Sequence, residues 1–170
     1  MRVELRVGPP DPLQALGEGG SNYAIPSSIA VMTTRPRRKL ETFPNPAAGR
    51  DYVIHIDAPE FTCLCPLTGQ PDFARLVLDY IPDRHCVELK SLKLFLWSYR
   101  DRGAFHEAVT NEILEEIAGV LKPRFARLSA HWYVRGGIFT TVVAEHRKRG
   151  WKSTPYVDLG RIESADASHR

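Results

Sequence analysis

An α+β domain is the fold class that this sequence predicts, with a four-stranded, largely antiparallel sheet carrying two helices on one face. Three observations lead there. Apolar and polar residues alternate in four segments; between the second and third of these, two segments space their apolar residues by three and four instead; and 170 residues with 43% hydrophobic content suit a single packed core.

The elements follow in chain order. Residues 1–40 hold Gly8-Pro9-Pro10, Gly17-Glu18-Gly19-Gly20 and Pro26-Ser27-Ser28 without a sustained period, so they read as an extended, partly mobile lead-in to a domain spanning 41–150. From Asp51 to Asp57, Tyr52, Ile54 and Ile56 alternate with Val53, His55 and Asp57, the period of a strand. After Ala58-Pro59-Glu60-Phe61, Pro66, Gly69 and Pro71 resist regular structure and place Cys65 in a shaped loop. Alternation resumes from Ala74 to Ile81 and stops at Pro82-Asp83.

A helix is expected over Glu88–Tyr99, with Leu89, Leu92, Leu96 and Tyr99 inward, Lys90 and Lys93 outward, and Gly103 ending it. The next should run from Phe105 to Leu121, burying Phe105, Val109, Ile113, Ile117 and Val120 or Leu121, with Pro123 as its stop and Glu112, Glu115 and Glu116 in solvent. Two further strands, Arg124–Arg135 and Ile138–Ala144, flank Gly136-Gly137, and residues 151–170 form a tail. A sheet of this kind has two edges to cover, so association with further copies of the chain is expected.

Composition narrows the function. The net charge is +3, and the two basic runs, Arg35-Pro36-Arg37-Arg38-Lys39 and His146-Arg147-Lys148-Arg149, are too short to argue for nucleic acid. No apolar run reaches membrane-spanning length and no secretory signal opens the chain, so a soluble, cytoplasmic protein is expected. Three cysteines, Cys63, Cys65 and Cys86, cannot all pair, which favours free thiols.

Cys65 in a loop, with Asp72 seven residues on across a Pro/Gly-bounded bend, could supply a nucleophile and a proton donor. The same residues could equally be a buried apolar filler and a turn former. Cys63, Cys65, Cys86 and His106 could be imagined as zinc ligands, but the close-paired spacing on both halves of a zinc site is missing, and no metal is expected. Lys90 and Lys93 share a helix face and could grip phosphate, or simply be solvated. Glu107, beside His106 at a helix start, could accept a heterocycle's N–H groups or act as a cap. Arg135-Gly136-Gly137 could be a hairpin turn or a place where a ligand approaches the backbone.

In order, Leu40-Glu41-Thr42-Phe43-Pro44-Asn45, the loop Cys65-Pro66-Leu67-Thr68-Gly69-Gln70-Pro71-Asp72-Phe73, Glu88-Leu89-Lys90-Ser91-Leu92-Lys93, Phe105-His106-Glu107 and Arg135-Gly136-Gly137 resemble the QueF family. Those are NADPH-dependent 7-cyano-7-deazaguanine reductases serving queuosine in transfer RNA. The resemblance implies the tunnelling fold, in which sheets of several subunits join into a barrel, with stacked rings and active sites at subunit boundaries. It implies that Cys65 is the nucleophile and Asp72 the proton donor, that Glu88, His106 and Glu107 bind substrate, and that Lys90, Lys93 and Arg135 contact NADPH phosphates. Leu89 departs from the family, standing where many relatives have serine. Two alternatives stay open: a zinc-dependent cyclohydrolase on the same fold, or a non-catalytic module binding purines, pterins or transfer RNA through the basic stretches and Trp132.

Overall fold

The computed structural model describes residues 34–153, so most of the expected lead-in and of the tail lies outside the described residues. Contacts divide the chain after Thr34, and the architecture below belongs to the unit that begins at Arg35. Its elements are β1 (Thr42–Pro44), β2 (Ile54–Leu64), β3 (Pro71–Ile81), β4 (His85–Val87), α1 (Leu89–Trp97), α2 (His106–Leu121), β5 (Phe125–Arg135) and β6 (Ile138–Arg147). The main sheet has the order β2-β3-β5-β6 and is antiparallel throughout, as the alternation predicts. β1 and β4 make a separate antiparallel pair that alternation does not distinguish from loop, since three residues are too few to show a period.

One face of the sheet is apolar and meets the helices. Ala74, Leu76, Leu78 and Tyr80 of β3 and Ala126, Leu128, Ala130 and Trp132 of β5 join Leu92, Phe95 and Tyr99 with Val109, Ile113, Ile117 and Leu121 in one buried cluster. Each buried Val, Leu, Ile or Phe side chain of this set contributes roughly 1.5–3 kcal/mol of burial. The other face is polar and internally paired: Arg75 reaches Asp57 at 2.8 Å, His55 reaches Asp79 at 2.7 Å, and Arg127 reaches Glu145 at 2.6 Å.

Strand β2 departs from expectation, continuing past Pro59 to Leu64. Ala58 pairs with Leu76, yet Phe61, not Glu60, pairs with Ala74, so one extra residue bulges out around Pro59-Glu60. Proline, lacking an N–H, is tolerated there because β2 is an edge strand and a bulge leaves a residue unpaired anyway. The bulge changes the parity of the strand. Even-numbered residues through Ala58 face the helices before it, and Phe61 and Cys63 do so after it.

Helix boundaries also differ from those the periodicity predicts. α1 ends at Trp97, where the Ser98 hydroxyl and N–H both donate to Phe95 O and the chain tightens into three-residue turns as far as Arg102; Gly103 does not cap it. Leu89 is exposed because it opens the helix straight after the Glu88 cap, and Phe95 takes its place in the inward stripe. Phe105 is exposed as an extended residue just outside α2, Leu121 rather than Val120 is buried, and Val134 turns outward past an irregularity in the β5–β6 ladder. Glu112 is only partly in solvent, since it binds Arg38 and Arg102. No helix among the described residues is long and apolar enough to cross a membrane.

Pro123 follows a C-cap, Lys122, whose φ of 46° lies in the left-handed region, which a residue with a Cβ enters at a cost. Replacing Lys122 with glycine is therefore expected to stabilise the fold by about 1 kcal/mol. A thermal midpoint for the Lys122→Gly protein at or below that of the parent would contradict this.

Candidate active site

The site begins with the six-residue connection from β2 to β3. The Cys65 N–H donates to Gln70 O at 2.8 Å and the Gly69 N–H donates to Cys65 O at 2.9 Å, a closed turn that needs the φ of 68° at Gly69. Behind it, the connection from α1 to α2 is fastened on: Leu64 N–H donates to Arg102 O and Ala104 N–H to Leu64 O, while a Cβ at Gly103 would come within 3.4 Å of Pro66 Cα. Cys65 thus sits on a loop with little freedom to shift.

The loop aims donors at the sulfur. The Thr68 hydroxyl contributes most and the Leu67 and Thr68 backbone N–H groups follow; burial opposes them, Arg135 adds the smallest contribution, and together they bring the Cys65 thiol down from 9.0 to about 7. Cys63, two residues earlier, goes the other way. Burial first, then the negative charges of Asp72 and Cys65, push it up to about 11, so it stays a protonated packing residue beside a reactive neighbour.

Asp72, near the start of β3, is only 3% exposed. One carboxylate oxygen accepts from Arg135 Nη1 and the other lies 3.4 Å from His106 Nε2. Arg135 Nη2 also reaches Gln70 Oε1 at 3.2 Å and the Thr68 hydroxyl at 3.4 Å. Arg135 can reach back because it is the last residue of β5, ahead of a two-residue turn in which Gly136 and Gly137 have φ of 57° and 80°. The His106 ring stacks flat on Trp132, centroids 3.8 Å apart and planes 3° from parallel, which fixes the plane in which its nitrogens lie. The indole N–H of Trp132 is buried without a hydrogen-bond partner among the described residues.

Cys65, Asp72, His106 and Arg135 therefore come together within one chain. The remaining residues singled out from the sequence do not join them. Glu88 caps α1, its two oxygens accepting from Lys90 N at 2.8 Å and Ser91 N at 2.7 Å, and these N–H groups hold its carboxyl below the usual range. Lys90 and Lys93 are exposed on α1, and neither amine forms an ion pair among the described residues. Glu107 is exposed in the first turn of α2, likewise without an ion pair among the described residues. A groove of about 500 Å³ includes Lys93 with Pro59, Phe61, Leu96, Trp97 and Arg100, but none of the four clustered residues. Among the described residues no three His, Cys, Asp or Glu side chains are placed to hold a metal ion.

Two contributors were not singled out as parts of the site from sequence. Thr68 had a local signal, a hydroxyl three residues after Cys65 and next to a turn glycine. Trp132 belongs to the apolar side of the alternation in its strand and enters a function only in the binding-module alternative; it faces the core, as that alternation implies, and orients His106.

Because a thiolate, not a thiol, reacts with alkylating agents, Cys65 should label with iodoacetamide half-maximally at a pH near its lowered value of about 7, fast above and slow below. Thr68→Val should move that midpoint up toward the ordinary thiol value and slow labelling at neutral pH several-fold. Peptide mapping separates Cys65 from the buried Cys63 and Cys86. An ordinary thiol midpoint in the unmodified protein would refute this account of the loop.

A family model described as QueF-like protein matches residues 71–151. Over 138 residues the chain is 65% identical to the NADPH-dependent 7-cyano-7-deazaguanine reductase of Nitrosomonas europaea, covering 81% of this chain and 99% of that protein. It is 64% identical over 133 residues to the protein of the same name from Methylobacillus flagellatus, covering 78% of this chain and 96% of the relative. Among solved structures, the apo archaeosine synthase QueF-Like superposes with a TM-score of 0.52 at 24% identity, over 55% of this chain and 91% of that one, a likeness of fold. With this identity running through nearly the whole length of its relatives, and with the loop, helix start and hairpin that carry the resemblance meeting around one thiol, the chain belongs to the QueF family.

Proposed function

We propose that this protein reduces the nitrile of 7-cyano-7-deazaguanine to the aminomethyl group with NADPH, in the synthesis of queuosine for transfer RNA, through a covalent adduct on Cys65. The observation that carries the proposal is a thiol lowered to about 7 in the same cluster as a buried carboxylate and an imidazole. The names and near full-length identity of the relatives point the same way.

The neutral carbon–nitrogen triple bond is a poor hydride acceptor, so dividing the reduction through a covalent intermediate lowers each barrier. The Cys65 sulfur attacks the nitrile carbon and Asp72 passes a proton to the nitrogen, giving a thioimide. His106, against Asp72 and held by Trp132, keeps the carboxylate oriented for that transfer. The exposed Glu107 carboxylate accepts N–H groups from the amine-and-amide edge of the deazapurine. Glu88 uses one lone pair of each oxygen in capping α1, which leaves acceptor capacity for the same edge.

Lys90 and Lys93 suit the cofactor: two exposed cations, unpaired among the described residues and three apart on a helix, match the phosphates of a dinucleotide. When bound, NADPH supplies the hydride chemistry, two equivalents for the four-electron change from nitrile to amine. This chain's part is to hold the phosphates, ease loss of the thiol proton and shield the intermediate from water.

The fuller assembly of the tunnelling fold, with sheets joined across subunits, belongs to the same proposal. β2 and β6 are sheet edges, and Ile138 and Phe139 at the β5–β6 hairpin are 69% and 77% exposed. A site closed by a neighbouring copy accounts for the Glu88, Lys90 and Lys93 group standing apart from Cys65.

Purified protein mixed with 7-cyano-7-deazaguanine should oxidise two NADPH per nitrile, read by cofactor absorbance, and the intact mass without NADPH should rise by that of the nitrile. Cys65→Ala should abolish both signals; turnover by that variant would rule out the covalent route. Lys90→Ala with Lys93→Ala should raise KM for NADPH roughly tenfold or more while the adduct still forms. An unchanged KM would remove these lysines from the phosphate role.

A further inference from the structure

The resemblance assigns Arg135 to the cofactor phosphates, yet its guanidinium is committed elsewhere. It donates to Asp72, Gln70 and Thr68, which are respectively the carboxylate of the cluster, the residue whose carbonyl closes the Cys65 turn, and the hydroxyl that serves the sulfur. Three donors spread over three partners around one thiol are the work of a planar fork, which a flexible ammonium could not reproduce. We infer that Arg135 is a positioning residue of the covalent step, holding the Asp72 carboxylate against the loop that carries Cys65 so that one proton can pass from the thiol through Asp72 to the substrate.

The inference rests on the proposed nitrile chemistry and deepens it. Cys65 and Asp72 would repel when both are ionised, and a positive charge between them removes that penalty. Starting from the thiol and the carboxylate, the S–H proton moves to Asp72 as the sulfur attacks, the carbon–sulfur bond forms, and one π bond of the nitrile becomes the N–H bond as Asp72 releases the proton. Asp72 ends ionised as it began, no oxidant or reductant enters, and Arg135 remains bound to it throughout. Among the described residues, Arg135 of β5 and Cys63 of β2 are the titratable groups coupled to the sulfur, while Asp72 of β3 acts on both of these and His106 of α2 lies against Asp72. Arg135 is the permanent cation of this set. Its bonds to Asp72, Gln70 and Thr68 set it apart from Lys90 and Lys93, whose amines form no ion pair among the described residues.

The test uses the full chain without cofactor. Labelling of Cys65 by iodoacetamide is followed from mildly acid to alkaline pH for the parent, Arg135→Gln and Arg135→Lys, and the rate of adduct formation with 7-cyano-7-deazaguanine is read by intact mass. The glutamine variant should label about two- to threefold more slowly at neutral pH, a smaller effect than that of Thr68→Val, and recover at alkaline pH, the signature of a raised thiol midpoint. Its adduct formation should slow in parallel. An Arg135→Gln profile that superimposes on the parent, or one that is depressed equally at every pH, would overturn the assignment. If the glutamine variant does not fold, Arg135→Lys decides: the charge stays and the fork is lost, so a smaller upward move is expected, and none would count against it. The labelling arm involves neither nitrile nor NADPH, so it tests Arg135 even if the protein proved to reduce another substrate.

Discussion

A single carboxylate, that of Asp72, constrains much of the structure around it. Removing a charge of this kind from water costs several kcal/mol unless cations and donors replace the lost hydration. The fold meets the demand from two directions, with Arg135 at the end of β5 and His106 at the start of α2. For both to arrive, β5 must lie beside β3 in its observed register, and α2 must begin over that end of the sheet. The flat stack of His106 on Trp132 then ties the helix start to β5 itself. Packing and chemistry share these contacts, so the geometry of the cluster is only as loose as the core beneath it.

Much of this was legible in the sequence, in proportion to how local each signal is. The alternation in 74–81 and 125–135 and the three-and-four spacing in α2 come from one face meeting a common core, and these elements appear where expected. The run of β2 through Pro59 to Leu64 has no alternation to announce it, and the position of β2 at the edge of the sheet makes a proline harmless there. Leu89 and Phe105 misled because apolar residues at helix starts fit a periodic stripe without lying over the core.

In the site, Cys65, Asp72 and His106 could be picked out singly as chemically able residues. Their meeting could not, since Arg135 reaches Asp72 across 63 positions through sheet register. The motif resemblance supplied a grouping of substrate and cofactor residues that set Arg135 beside Lys90 and Lys93, whereas sheet register brings its guanidinium to the Asp72 carboxylate. The Cys63 and Cys65 pair shows the same limit. These two like residues, separated by only Leu64, sit at about 11 and about 7 because one faces a sealed core and the other a ring of donors, a distinction that spacing alone does not carry.

The bulge at Pro59-Glu60 has one more consequence, which concerns counting rather than chemistry. A strand is a two-phase register, and the extra residue advances β2 by half a period just before the nucleophile loop. Neither Pro59 nor Glu60 lies in the core, so the identity of either can drift, but their number cannot. Losing one would leave every downstream side chain intact and turn Phe61 and Cys63 to the polar face, carrying the loop that holds Cys65 out of phase with Asp72. In descendants of this chain, substitutions should accumulate at this spot while insertions and deletions stay rare.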